Sequence, residues 1–210
     1  MGNYLPIIPQ GFTWGFILAL MIGPVFFGLI QTSIEEGLKK AIVYALGVAV
    51  SDCCFVMLAA LGISPLIENA GWKNGILIGG GIVMIIFGIL YLRKSSKDLS
   101  YIYEAKKIIS QKRTYFFKGF LLNALNPAVL FFWIGPVGFV IADYSDVPGG
   151  AAVFLVTALT TVFLTDIAKA WSARRILKWL NPQHINQMNK ILGVAFLIAG
   201  VIIIWKVYAA

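Results

Sequence analysis

The sequence predicts an all-α integral membrane protein: a six-helix bundle built from two inverted three-helix repeats, with both termini extracytoplasmic. Three observations predict it. The 210 residues are 60% apolar and only 12% charged, with a mean hydropathy of +0.86, whereas a soluble domain carries about 25% charged residues. Apolar segments long enough to cross a bilayer, which takes roughly 20 residues, lie at 8–31, 40–62, 73–92, 118–142, 149–171 and 189–208. In each half a small-residue–proline pair breaks an apolar stretch upstream of a hydroxyl–aspartate pair that is itself inside an apolar run: Gly23-Pro24 with Ser51-Asp52, and Asn126-Pro127 with Thr165-Asp166.

The first segment has no Lys or Arg ahead of it and no clear small-residue cleavage site, so it reads as a retained span rather than a signal peptide. It carries Gly11-x-x-x-Gly15, a spacing that lets helices approach closely, and it is interrupted by Gly23-Pro24. The second holds Asp52 beside the adjacent thiols Cys53 and Cys54, which lack the C-x-x-C spacing of a redox motif and read as packing residues. The third has Gly75, Gly79, Gly80 and Gly81, suited to packing within the bundle or to a homodimer contact. The basic connection 93–117 has the composition of an amphipathic surface helix, and 172–188 is a shorter stretch of the same bias. The fourth segment is broken at Asn126-Pro127, the fifth holds Asp166 and Lys169, and the sixth closes the chain. One transmembrane domain, 1–210, with halves of about 1–92 and 118–210, accounts for all of it.

Charge gives the orientation. Of the 17 Lys and Arg, Lys39 and Lys40 lie between spans one and two, the run from Arg93 to Lys118 lies between three and four, and Arg174, Arg175, Lys178 and Lys190 lie between five and six. Only Lys73 and Lys206 fall on the opposite face, where Asp143 and Asp146 also sit, and Lys169 is inside its span. Basic connections stay in the cytoplasm, which sends both termini outward. The net charge of +8 therefore belongs to loops of a membrane protein and does not point to nucleic acid. Three spans per half is an odd number, so the second half lies upside down relative to the first. Interrupted helices at matching places in inverted halves are the pattern of secondary transporters. The distance from proline to aspartate is 28 residues in the first half and 39 in the second, an insertion of 11 that falls in the connection between spans four and five.

Aspartates within apolar spans are costly by at least ~2.5 kcal/mol. Asp52 and Asp166 would bind a proton, a coupling cation or the amino group of a substrate. A structural role competes for Asp166, because Lys169 lies three residues on and would neutralise it. A proline within a span frees backbone polar groups, which survive only where they are buried or line a cavity; the plainer reading of each break is a kink. The candidate substrate- or ion-binding residues are Asp52, Ser51, Gly23, Pro24, Asn126, Pro127, Asp166 and Lys169. Trp72, Trp133, Trp171, Trp179 and Trp205, with Tyr91 and Tyr208, are placed as an aromatic belt. His184 is the single histidine, with no Cys or Glu cluster about it, and no GxxxxGK[ST] motif occurs. No catalytic residue, metal or cofactor is expected, and transport would draw on an ion gradient.

The stretch GFILALMIGPVFFGLIQTSIEEGLKKAIVYALGVAVSD resembles the opening of the LysE/RhtB-type amino-acid exporters, where a small-residue–proline break in span one precedes a G-h-x-x-x-x-G-x-x-x-x-D pattern in span two. NALNPAVLFFWIG is similar to the second-half Asn-Pro motif of that family, and ARRILKWLNPQHINQMNKILGVAFLIAGVIIIW to its last connection and span. The resemblance implies a secondary transporter in the bacterial cytoplasmic membrane, exporting amino acids or related small metabolites by alternating access and driven by the proton motive force. Its implied site is Gly23, Pro24, Asp52, Asn126 and Pro127. Two other functions fit the layout: a transmembrane thiol redox carrier using Cys53 and Cys54, and a non-transporting membrane subunit.

Overall fold

The computed structural model describes residues 4–67, 70–93, 114–144, 147–179 and 182–209. The connection at 94–113, expected as an amphipathic helix, lies outside the described residues, as do Asp146 and the side chain of Trp72. Among the described residues all the regular structure is helical. The elements are α1 (Ile7–Ala19), α2 (Pro24–Glu36), α3 (Leu38–Ile67), α4 (Ala70–Arg93), α5 (Tyr115–Ala124), α6 (Pro127–Asp143), α7 (Gly150–Trp171), the short α8 (Ala173–Trp179) and α9 (Pro182–Ala209).

Three of these, α3, α7 and α9, are long and apolar enough to cross a membrane alone. The first expected span is not one helix. It is split into α1 and α2, which meet at a bend of 77°. Each leg has 13 residues, or ~20 Å at 1.5 Å per residue, too short for a ~30 Å hydrocarbon core. The fourth span is split in the same way into α5 and α6, bent by 70°. Counting each bent pair as one span gives five candidates, and the described apolar part of α4, Leu77–Arg93, is shorter. The last helix begins at Pro182, seven residues before the expected 189, and its first turn is held by His184, which stacks on Trp179 and bonds its carbonyl through Nδ1.

Neither proline kinks a helix. Pro24 and Pro127 each open a new helix at its first position, where a missing N–H costs nothing and φ is already set. Gly23, extended at φ −166°, caps α2, and its carbonyl accepts from Phe27 N at 3.1 Å. At the second break the Asn126 carbonyl accepts from Val129 N at 3.1 Å. The preceding helices close with tight turns, Met21 N to Leu18 O at 3.0 Å and Asn126 N to Asn123 O at 3.0 Å.

Helix pairing follows the glycines. A side chain at Gly11 or Gly15 of α1 would strike the backbone of Phe154 or Ala158 in α7, and one at Gly119 of α5 would strike that of Tyr44 in α3. The rising residue numbers make both pairs parallel: Tyr4 bonds Pro148 O (2.8 Å) ahead of the Gly11 and Gly15 contacts. In the same way Lys40 meets the Tyr115 ring and Asp52 meets Asn123 on either side of the Gly119 contact. The third pair, α4 and α9, is antiparallel, with Gly81 against Gly200 and Gly88 against Gly193. Gly75 and Gly79 face open space.

The bundle buries polar groups within its apolar core and is apolar outside. Asp52, Asp166, Asn123, Thr32, Ser51 and Asn189 are buried, while Leu58, Leu61, Val156, Leu164, Ile191 and Ile198 are exposed. In water such a shell would aggregate; in lipid it is the contact surface.

Candidate functional site

The two breaks and the two aspartates converge on one cavity of about 100 Å³. The end of α1 and the start of α2 give it Leu18, Ile22, Gly23, Pro24 and Phe26. The second break contributes Asn123, Asn126 and Val129, and α3 contributes Val48 and Asp52. From α7 come Val162, Asp166 and Lys169, and α4 closes one side with Tyr91. Both second legs thus begin at the cavity, and a helix N-terminus presents N–H groups and positive dipole to whatever lies before it.

Asp52 is 1% exposed, and its Oδ1 accepts two hydrogen bonds, from Asn123 Nδ2 at 2.8 Å and from Trp133 Nε1 at 3.1 Å. Both donors are neutral and both come from the other half of the chain. No described residue bonds its second oxygen, Oδ2. Asp166 differs: Lys169 Nζ reaches its Oδ1 at 2.8 Å, three residues along the same helix. The two residues are paired, as their spacing allows, and the pair stands in the cavity wall. Lys169 also lies 5.9 Å from the centre of the Phe26 ring, beside the first turn of α2.

Six of the eight candidates therefore line one site: Gly23, Pro24, Asp52, Asn126, Asp166 and Lys169. Ser51 does not join them; it is buried, and its hydroxyl has no hydrogen-bond partner among the described residues. Pro127 holds its place at the head of α6, and its side chain is outside the described residues. The aromatic belt fits Trp171, Trp179, Trp205 and Tyr208, which are exposed, but it is wrong for two members. Trp133 is fully buried on Asp52, and Tyr91 is buried in the cavity wall. Asn123 was missed outright, although the first Asn of NALNP lies one turn before Asn126 and marks the same face. Neither cysteine is among the cavity residues; Cys53 is exposed and Cys54 partly so, both as free thiols.

The family model described as LysE type translocator matches residues 16–206. The chain belongs to that family. It is accordingly a translocator and not an enzyme, and a multi-pass membrane protein. Among the relatives of this LysE type translocator are the threonine efflux proteins of Salmonella typhi and Escherichia coli (strain K12), 27% and 26% identical over 176 residues. Each alignment covers 79% of this chain and 85% of the relative. No solved structure matches the translocator.

Proposed function

We propose that this LysE type translocator exports amino acids across the bacterial cytoplasmic membrane, coupled to the proton motive force, by alternating access of two inverted halves. The observation that carries the reading is the meeting of both broken helices, in one cavity, with a buried carboxylate whose second oxygen is bonded by no described residue. Helix N-termini suit a carboxylate and Asp52 suits an ammonium or a proton, and the named relatives are efflux proteins for an amino acid.

The inverted arrangement is favoured by the pairing of helices. If the second half is the first turned over, span one runs with span five, span two with span four, and span three against span six. The parallel pairs α1/α7 and α3/α5 and the antiparallel pair α4/α9 fit that scheme. With the basic connections in the cytoplasm, both termini are outside. Gly75 and Gly79 leave open space on α4 against which a second copy would pack as a homodimer.

The test is threonine efflux from preloaded membrane vesicles, with and without an imposed proton gradient. The wild type should export faster when the gradient is present, and Asp52→Asn should fall to background at equal amounts of folded protein. Gradient-dependent export that survives in Asp52→Asn would sink the role of that carboxylate.

A further inference from the structure

The cavity wall carries three formal charges, Asp52, Asp166 and Lys169, and only the last two are paired with each other. A buried pair of this kind is a poor device for stability, because apolar side chains of the same size do as well or better. Its position also argues against mere packing. Lys169 has three donors, of which one goes to Asp166 and none to another described residue. The ammonium stands over Phe26, in the turn of α2 that opens on the cavity, so its charge adds to the positive end of that helix. Asp52 stands in the same cavity on α3, with its Oδ1 fixed by Asn123 and Trp133 and its Oδ2 bonded by no described residue. An ammonium with donors to spare and a carboxylate with no cationic partner among the described residues thus stand on different helices and line one cavity of about 100 Å³.

We propose that Lys169 is the residue that recognises the carboxylate of the cargo, with Asp166 as a positioning residue that holds the ammonium in place. The cargo's own ammonium goes to Asp52 Oδ2. This rests on the exporter reading above and sharpens it: the site selects small zwitterions that bear both groups close together, and it rejects the same molecule once the carboxylate has been made neutral. A cargo amide offers Lys169 only a weaker, uncharged acceptor in place of a carboxylate.

The experiment compares efflux of threonine with efflux of threoninamide from preloaded proteoliposomes, for the wild type, Lys169→Arg and the double variant Asp166→Asn/Lys169→Gln. The double variant removes both charges at once, so that Asp166 is not left as a carboxylate without its ammonium, and size-exclusion profiles equalise the amount of folded protein. A charge-assisted hydrogen bond is worth enough to set a threonine-to-threoninamide ratio of about tenfold or more in the wild type. Lys169→Arg should keep a ratio favouring threonine, and the double variant should bring it to about one. A purely structural ion pair would lower both rates together and leave the ratio as it was, and that result overturns the assignment. A wild type that moves neither compound overturns instead the exporter reading on which it rests.

Discussion

Asp52 accepts from an amide and an indole, and neither partner carries charge. The buried carboxylate is oriented by them without being neutralised, which leaves its charge available to a ligand. Taking one donor away should therefore act twice. Asn123→Ala or Trp133→Phe leaves a carboxylate less well satisfied, at a cost of ~1–3 kcal/mol, measurable as a shift in denaturant unfolding in detergent. Either change should also slow efflux, because Asp52 loses its fixed aim. Loss of stability with unchanged efflux would mean that the two donors only support the fold. At this scale the sequence was legible where chemistry is conspicuous, since an aspartate or an asparagine–proline pair in an apolar run has few explanations. It was misleading for Trp133. Belt placement judges a tryptophan by its distance from the end of a span, and nothing in that distance tells which way the ring turns. Once Pro127 starts a new helix, Trp133 sits six residues in, under Asp52.

The helices were legible in type, because lipid leaves an apolar run little choice but to satisfy its backbone internally. What the run could not reveal was direction. A proline reads as a kink in the interior of a helix, yet here each proline is the first residue of the next one. The partners of each glycine were hidden too, since Gly119 owes its small size to Tyr44, 75 residues earlier. Sterics now separate glycines that composition treats alike. A methyl group at Gly119 would lie 2.9 Å from the Tyr44 carbonyl carbon, and one at Gly15 would lie 2.9 Å from Ala158 Cα. Neither backbone can yield without parting the helices. Gly119→Ala and Gly15→Ala should each destabilise by ~1–3 kcal/mol, as overpacking does. Gly79→Ala meets nothing within 4 Å and should stay within ~0.5 kcal/mol of the wild type. Thermal unfolding in nanodiscs checks the contrast, and equal effects at Gly79 and Gly119 would refute this account of the helix pairs.

At the scale of the whole molecule, the bend of each broken helix raises the question of whether it crosses the bilayer or turns back. The contacts bear on it. The start of α1 meets the start of α7 through Tyr4 and Pro148, and Gln10 accepts from the Tyr144 hydroxyl at the end of α6. The end of α2 meets the far end of α7, where Ser33 donates to the Ala170 carbonyl at 2.5 Å. Since α7 runs the length of the bundle, α1 and α2 together span that length as well. Asp143, at the end of α6, bonds Lys206 at 2.9 Å near the end of α9, while Tyr115, at the start of α5, lies with Lys40 at the other end. A re-entrant second break would also carry the basic residues Arg174, Arg175 and Lys178 to the outer face, against the charge rule. Single cysteines in a chain lacking Cys53 and Cys54 test this directly. Leu5→Cys and Tyr208→Cys, both at exposed positions, should react with a membrane-impermeant maleimide in intact cells. Glu35→Cys and Lys178→Cys, also exposed, should react only after permeabilisation. Were α1 and α2 a re-entrant loop, Leu5 and Glu35 would label from the same side, and the two inverted halves could not be drawn.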